Sequence, residues 1–200
     1  RELAEVLRRA GMTVVMTREE DVFVPLETRV SVARATGADV FLSLHADALA
    51  EGEATGATVY LLADEASDAA SARLAERHDR ADLLAGIDLA GQDDLVAAVM
   101  MDMARTETRP RSERLAAALA AAIKGKGGRM HRHPVQQAAF SVLKSPDIPS
   151  VLLEVGFLSS EADRKRLSDP AWRARMQEAG LAALAAWARA DAAEAKLIRQ

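Results

Sequence analysis

The run Ser150-Val151-Leu152-Leu153-Glu154-Val155-Gly156-Phe157-Leu158-Ser159 limits what this chain can fold into more than any other stretch. Pro146 and Pro149 introduce it, Gly156 closes it, and its apolar course is broken by a single carboxylate. A short, continuous apolar run between turn residues has the composition of a strand covered on both faces, as in the parallel sheet of an α/β protein. Such sheets bind ligands just beyond the carboxyl ends of their strands. Glu154 stands at that position. It is either a catalytic group, or a carboxylate that snorkels at a strand end or pairs with a neighbouring Arg.

The rest of the chain supplies the other layers. Leu3, Val6, Leu7 and Ala10 recur at helical spacing before Gly11, and Met12–Thr17 reads as a strand. Pro25 opens a second helix that carries Leu26, Val30 and Ala33 inward and stops at Gly37. Asp39–Asp47 is a buried strand with His45 and Asp47 at its carboxyl end, and Thr58–Leu62 is another. After the Glu154 strand come a short helix over Glu161–Leu167 and a long one from Asp169-Pro170, with Trp172, Met176, Leu184 and Trp187 on one face. Strands alternating with helical patterns predict an α/β fold. Its sheet is a mostly parallel, twisted one flanked by helices on both faces.

At 200 residues, 50% hydrophobic, the chain can bury a full core as one domain. The net charge of −4 and the lack of interleaved basic and aromatic residues argue against a nucleic-acid binder. No apolar run approaches the roughly 18 residues of a membrane span. With no cysteine, disulfides, thiolate metal sites and a cysteine nucleophile are excluded, which fits an oxidising compartment. The opening at Arg1, without Met and within a helical pattern, points to upstream residues that include any signal peptide. Two charge blocks stand out: residues 64–107 hold eleven Asp and Glu against four Arg, and residues 109–132 hold seven Lys and Arg against Glu113. In the acidic block a helix near 66–80 precedes one capped by Asp93 or Asp94, with Leu95, Val96, Val99, Met100 and Met103 on one face. In the basic block Leu115, Leu119 and Ile123 mark the buried side of a further helix.

Two strand ends thus offer His45 and Glu154, with His131 and His133 in the segment leading to the second. Histidine and carboxylate at one sheet edge suit a zinc site with a Glu general base, or a His–Glu acid/base pair. A hydrogen-bonded structural His is the plain alternative. Ser43 and Ser159 lie outside any Gly-x-Ser-x-Gly elbow, which disfavours a serine hydrolase.

Ser43-Leu44-His45-Ala46-Asp47, succeeded after a long insert by Gln137 through Ser159, closely resembles the zinc-dependent N-acetylmuramoyl-L-alanine amidases that split septal peptidoglycan. Val15-Met16-Thr17-Arg18 and Asp169-Pro170-Ala171-Trp172-Arg173 match that family in type and spacing, so the resemblance spans almost the whole chain.

The resemblance implies that His45, in the family's Ser-x-His-Ala-Asp motif, is a Zn2+ ligand. It makes Glu154, in Leu-x-Glu-x-Gly-Phe, the carboxylate that moves a proton from water to the leaving amine. His131, just before Gln-Ala-x-Phe, falls near the substrate. The family's other two ligands, a His in Gly-His-Gly and a Glu opening the next helix, would precede Arg1. On this reading residues 1–200 are one amidase catalytic domain short of its first strand, expected to bind zinc poorly and to be inactive alone. Residues 64–108 correspond to an inserted helical regulatory segment. In the family its helix covers the site and puts an acidic side chain on the zinc until an activator protein, of the LytM type, relieves the block. Glu107 and Asp102 are the expected occluding groups. The implied setting is the periplasm, with peptidoglycan as substrate, in wall remodelling and daughter-cell separation. The rival reading is a non-catalytic wall-binding or regulatory module that keeps the amidase fold but lacks the metal site.

Overall fold

The computed structural model describes residues 1–49, 54–84, 95–145 and 147–198. In chain order these form α1 (Glu2–Arg9), α2 (Leu26–Ala35), β1 (Phe41–His45), β2 (Ala57–Leu62), α3 (Ala69–Leu84), α4 (Leu95–Gly125), β3 (Met130–Ala138), β4 (Ser150–Glu154), α5 (Glu161–Ser168) and α6 (Pro170–Ile198). The strands make one mixed sheet in the order β1-β4-β2-β3. β1 runs parallel to β4 and β2 parallel to β3, while β4 and β2 meet antiparallel.

β4 is interior, and all five of its residues are buried. Successive side chains alternate between the faces. Leu152 packs with Leu26 and Ala33 of α2, Leu74 and Ala75 of α3, and Tyr60 and Phe140. Val151 and Leu153 face the other way, onto Leu115, Leu119 and Ile123 of α4 and Ala183 and Trp187 of α6. Glu154 has the parity of Leu152. Its side chain therefore emerges on the face covered by α2 and α3.

Three expectations change. Met12–Thr17 is not a strand: Arg8 donates to the Val14 carbonyl at 2.8 Å and Val15 stays half exposed, so the segment has no ladder partner among the described residues. The two helices expected across residues 93–123 form one, since α4 continues through Pro110. β3 is absent from the sequence reading, because Met130-His131-Arg132-His133-Pro134-Val135 is polar and contains a proline. As an edge strand it tolerates both. Its register is also broken: Ala57 faces Met130 whereas Val59 faces Val135, so residues 131–134 bulge off the ladder.

A buried carboxylate ties the sheet to α5. Asp163, 2% exposed, accepts from the backbone N–H of Gly56 at 2.9 Å and of Phe157 at 3.0 Å, and from the Thr55 hydroxyl at 2.9 Å. Arg166 balances its charge. The chain entering β2 and the chain leaving β4 are thereby held together.

Candidate metal centre and active site

Parallel pairing sets His45 of β1 beside Glu154 of β4 in register, and Thr58 of β2 opposes Glu154 from the other side. The loops beyond both strand ends are laced together. Val155 N–H donates to the His45 carbonyl at 2.9 Å, Leu158 N–H to the Asp47 carbonyl at 2.7 Å, and Leu49 N–H to the Ser159 hydroxyl at 3.2 Å. This lacing turns Asp47 back over the strand, where its N–H donates to Glu154 Oε2 at 3.1 Å.

α3 completes the cluster. His78 sits four residues after Leu74 and three after Ala75, so the apolar face of the helix carries it inward. Its Nε2 makes a short contact with Asp47 Oδ2 and lies 4.0 Å from Glu154 Oε1. Its ring is 4.4 Å from that of His45 and rests edge-on against Phe140 at 5.3 Å. Arg77 adds an ion pair to Asp47 at 3.2 Å. One ligand atom from each of His45, Asp47, His78 and Glu154 lies within 4.8 Å of the others.

The electrostatics of the cluster are uneven. Burial pushes the Glu154 carboxyl up to about 9, and the Asp47 charge beside it adds to the rise. Asp47 moves the other way: burial opposes its charge, but the imidazoles of His45 and His78 close to it outweigh that and hold it well below the usual carboxylate range. Glu154 Oε1 is fully buried and makes no hydrogen bond. An orphaned carboxylate oxygen facing two imidazoles and a second carboxylate is an arrangement that a cation could complete, and this nitrogen and oxygen donor set fits zinc.

Of the residues singled out in the sequence, His45 and Glu154 come together. His131 lies in the β3 bulge at the same edge of the sheet, 6.5 Å ring to ring from Phe157. It lines a cavity of about 410 Å³ with Tyr60, Gln136, Phe157, Arg129 and Arg132. Burial lowers its pKa and so favours the neutral ring. Glu107 is exposed on α4; five residues later, Ser112 accepts from the N–H of Ser150, at the opposite end of β4 from Glu154. It is therefore not among the groups at the cluster. The side chain of Asp102 lies outside the described residues. Asp47 is visible in the sequence at its strand end but without a role, and His78 escapes sequence reasoning. Its only signal is its place on the apolar face of α3.

Fold and cluster together define an α/β protein with a carboxylate–imidazole cluster at the end of its sheet that could hold a metal ion. The sequence profile of the family described as N-acetylmuramoyl-L-alanine amidase (Amidase_3) matches residues 1–186. The chain belongs to that family. It is 38% identical to N-acetylmuramoyl-L-alanine amidase AmiA of Salmonella typhimurium over 175 residues, 87% of this chain and 60% of that protein. It is 35% identical to AmiC of Escherichia coli over 189 residues, 94% of this chain and 45% of the relative. The chain thus spans about half the length of these relatives. Among solved structures, the catalytic domain of CwlV, an N-acetylmuramoyl-L-alanine amidase from Bacillus (Paenibacillus) polymyxa, has the same fold. It superposes with a TM-score of 0.61 at 21% identity, over 94% of this chain and 79% of that one. The CwlD amidase of Clostridioides difficile, solved in complex with the GerS lipoprotein, gives 0.65 at 19% identity, over 94% and 82% of the two chains.

Proposed function

We propose that this chain carries out zinc-dependent hydrolysis of the amide between N-acetylmuramic acid and L-alanine in peptidoglycan, in the periplasm, during wall remodelling and daughter-cell separation. The observation that carries the reading is Glu154: buried, at the strand end beside His45, with Oε1 unpartnered and facing the cluster. His45 and Asp47, with His78 while α3 is docked, are the residues of this chain that would hold the ion. When bound, zinc supplies Lewis-acid chemistry to the scissile carbonyl. Glu154 does the proton work. The Asp47 N–H fixes Oε2, which leaves Oε1 to take a proton from the attacking water and return it to the leaving amine. A nearby cation favours the charged carboxylate over the neutral acid, bringing Glu154 toward the form a base needs. The cavity lined by His131 and Arg132, at the same end of the sheet, would receive the substrate beyond the scissile bond. In the full-length, zinc-loaded protein we expect release of stem peptides with free L-alanine amino termini. Glu154→Gln should lower kcat by about 10²- to 10⁴-fold with zinc still bound. Binding to peptidoglycan with no peptide released would favour the non-catalytic wall-binding module instead.

The same reading makes residues 64–108 the regulatory segment, with α3 as its blocking element. His78 stands between Glu154 and Asp47, in the space an attacking water needs, so we assign the occluding role to His78 in place of Glu107 or Asp102. A partner, of the LytM type in this view, would act by lifting α3. Arg77→Ala with His78→Ala should raise basal activity roughly tenfold, corresponding to about 1.4 kcal/mol of docking energy. Unchanged basal activity would remove the occlusion model.

A further inference from the structure

Ser43 and His45 are two residues apart on β1 and so share one face of the strand, and their backbone is locked by the ladder to Leu152 and Glu154. The Ser43 hydroxyl lies 2.9 Å from His45 Nε2. The other ring nitrogen, Nδ1, is the one turned to the cluster. It is 3.7 Å from Asp47 Oδ2, beyond hydrogen-bond range, so no such bond consumes it. A half-turn of the ring about its Cβ–Cγ bond would exchange Nε2 for Cε1 at Ser43 and Nδ1 for Cδ2 at the cluster. The contact to Ser43 therefore selects the ring orientation.

We propose that Ser43 is a positioning residue for the metal centre: its hydroxyl accepts the Nε2–H of His45 and thereby presents the Nδ1 lone pair to a divalent cation held with Asp47. The proposal rests on the reading that His45 holds the ion, and goes beyond it by naming the ligand atom and the group that fixes it. A hydroxyl suits this task because it accepts from an imidazole N–H without bringing a further charge to the site. Outer partners of this kind orient metal-binding imidazoles, and their removal typically weakens metal binding by about 10- to 100-fold.

The test is zinc affinity of the full-length protein by competition with a chromogenic chelator, together with nitrogen-15 spectra of the metal-free imidazoles at a pH where they are neutral. Ser43→Ala should weaken zinc about 10- to 100-fold and turn the single Nε2–H signature of His45 into a tautomer mixture, while Ser43→Thr, which keeps the hydroxyl, should restore both. If Ser43→Ala binds zinc as tightly as the parent while His45→Ala does not bind, the role of Ser43 is overturned and the metal reading stands. If His45→Ala leaves zinc affinity unchanged, the metal reading falls and this proposal with it. Failure of Ser43→Thr to restore affinity and tautomer would also overturn the hydroxyl's role.

Discussion

Asp47 and Glu154 are joined by one hydrogen bond yet are driven to opposite protonation states. Asp47 reaches two imidazoles and Arg77, so its charge is answered several times over. Glu154, with 0% exposure, has desolvation and the Asp47 charge against it. A carboxyl whose folded pKa is raised from 4.5 to about 9 binds its proton more tightly folded than unfolded. In the metal-free protein its contribution to stability is complete below about pH 4.5 and is lost as pH rises through that window. Glu154→Gln should therefore stabilise the metal-free protein at pH 8, by on the order of 1–3 kcal/mol, and flatten the decline in stability between pH 5 and about 9. Urea unfolding across that range measures it. An unaltered slope would mean that Glu154 is not the group holding the proton. The catalytic candidate itself is legible in the sequence, as a lone carboxylate ending an apolar run. Its partner His78 is not, since 76 residues of chain separate the two and only packing of α3 onto the sheet brings them together.

At the scale of elements, the site depends on how β2 enters the sheet. Gly56 has φ +88°, and a Cβ there would lie 2.7 Å from the Met130 carbonyl carbon and 2.9 Å from the Arg129 carbonyl oxygen, both backbone. Neither contact can yield by a rotamer change, and the backbone conformation is itself unfavourable for a non-glycine residue. Gly56→Ala should cost about 2–4 kcal/mol and loosen the start of β3, where His131 bulges toward the cavity. Thermal unfolding and substrate KM would report the two effects, and a wild-type Tm would contradict the close approach. The elements of this region are the least legible. β4 and β1 announce themselves by apolar runs because both faces are covered. β3 is exposed over much of its length, and its polar sequence is set by an edge position that no local pattern encodes.

At the scale of the molecule, α2 and α3 lie on one face of the sheet and α4 and α6 on the other, and the second pair is clamped by Arg111. Its guanidinium makes two 2.8 Å contacts with Asp191 and stacks 5.7 Å from the Trp187 ring, whose Nε1–H donates to the Arg111 carbonyl. Removing this group with Arg111→Ala should cost about 1–3 kcal/mol, lowering Tm by roughly 2–4 °C for each kcal/mol. Because hydrogen bonding to Arg111 lowers the pKa of Asp191, the clamp's contribution is present above the ordinary carboxylate pKa of 3.8 and fades as pH falls below it. A variant with an unshifted Tm and an unchanged acid limb would show the clamp to be dispensable. Periodicity and punctuation by themselves determined the α/β class, the β1 and β4 strands, the α5 and α6 helices, and the presence of His45, Asp47 and Glu154 at strand ends, because burial on one or both faces leaves a local mark in residue order. Only the tertiary structure decided that β2 joins the sheet antiparallel to β4, that β3 forms its edge, that α4 runs unbroken through Pro110, and that His78 rather than Glu107 meets the Glu154 carboxylate. Those outcomes depend on contacts between distant segments, whose energies appear only when the layers close over one another.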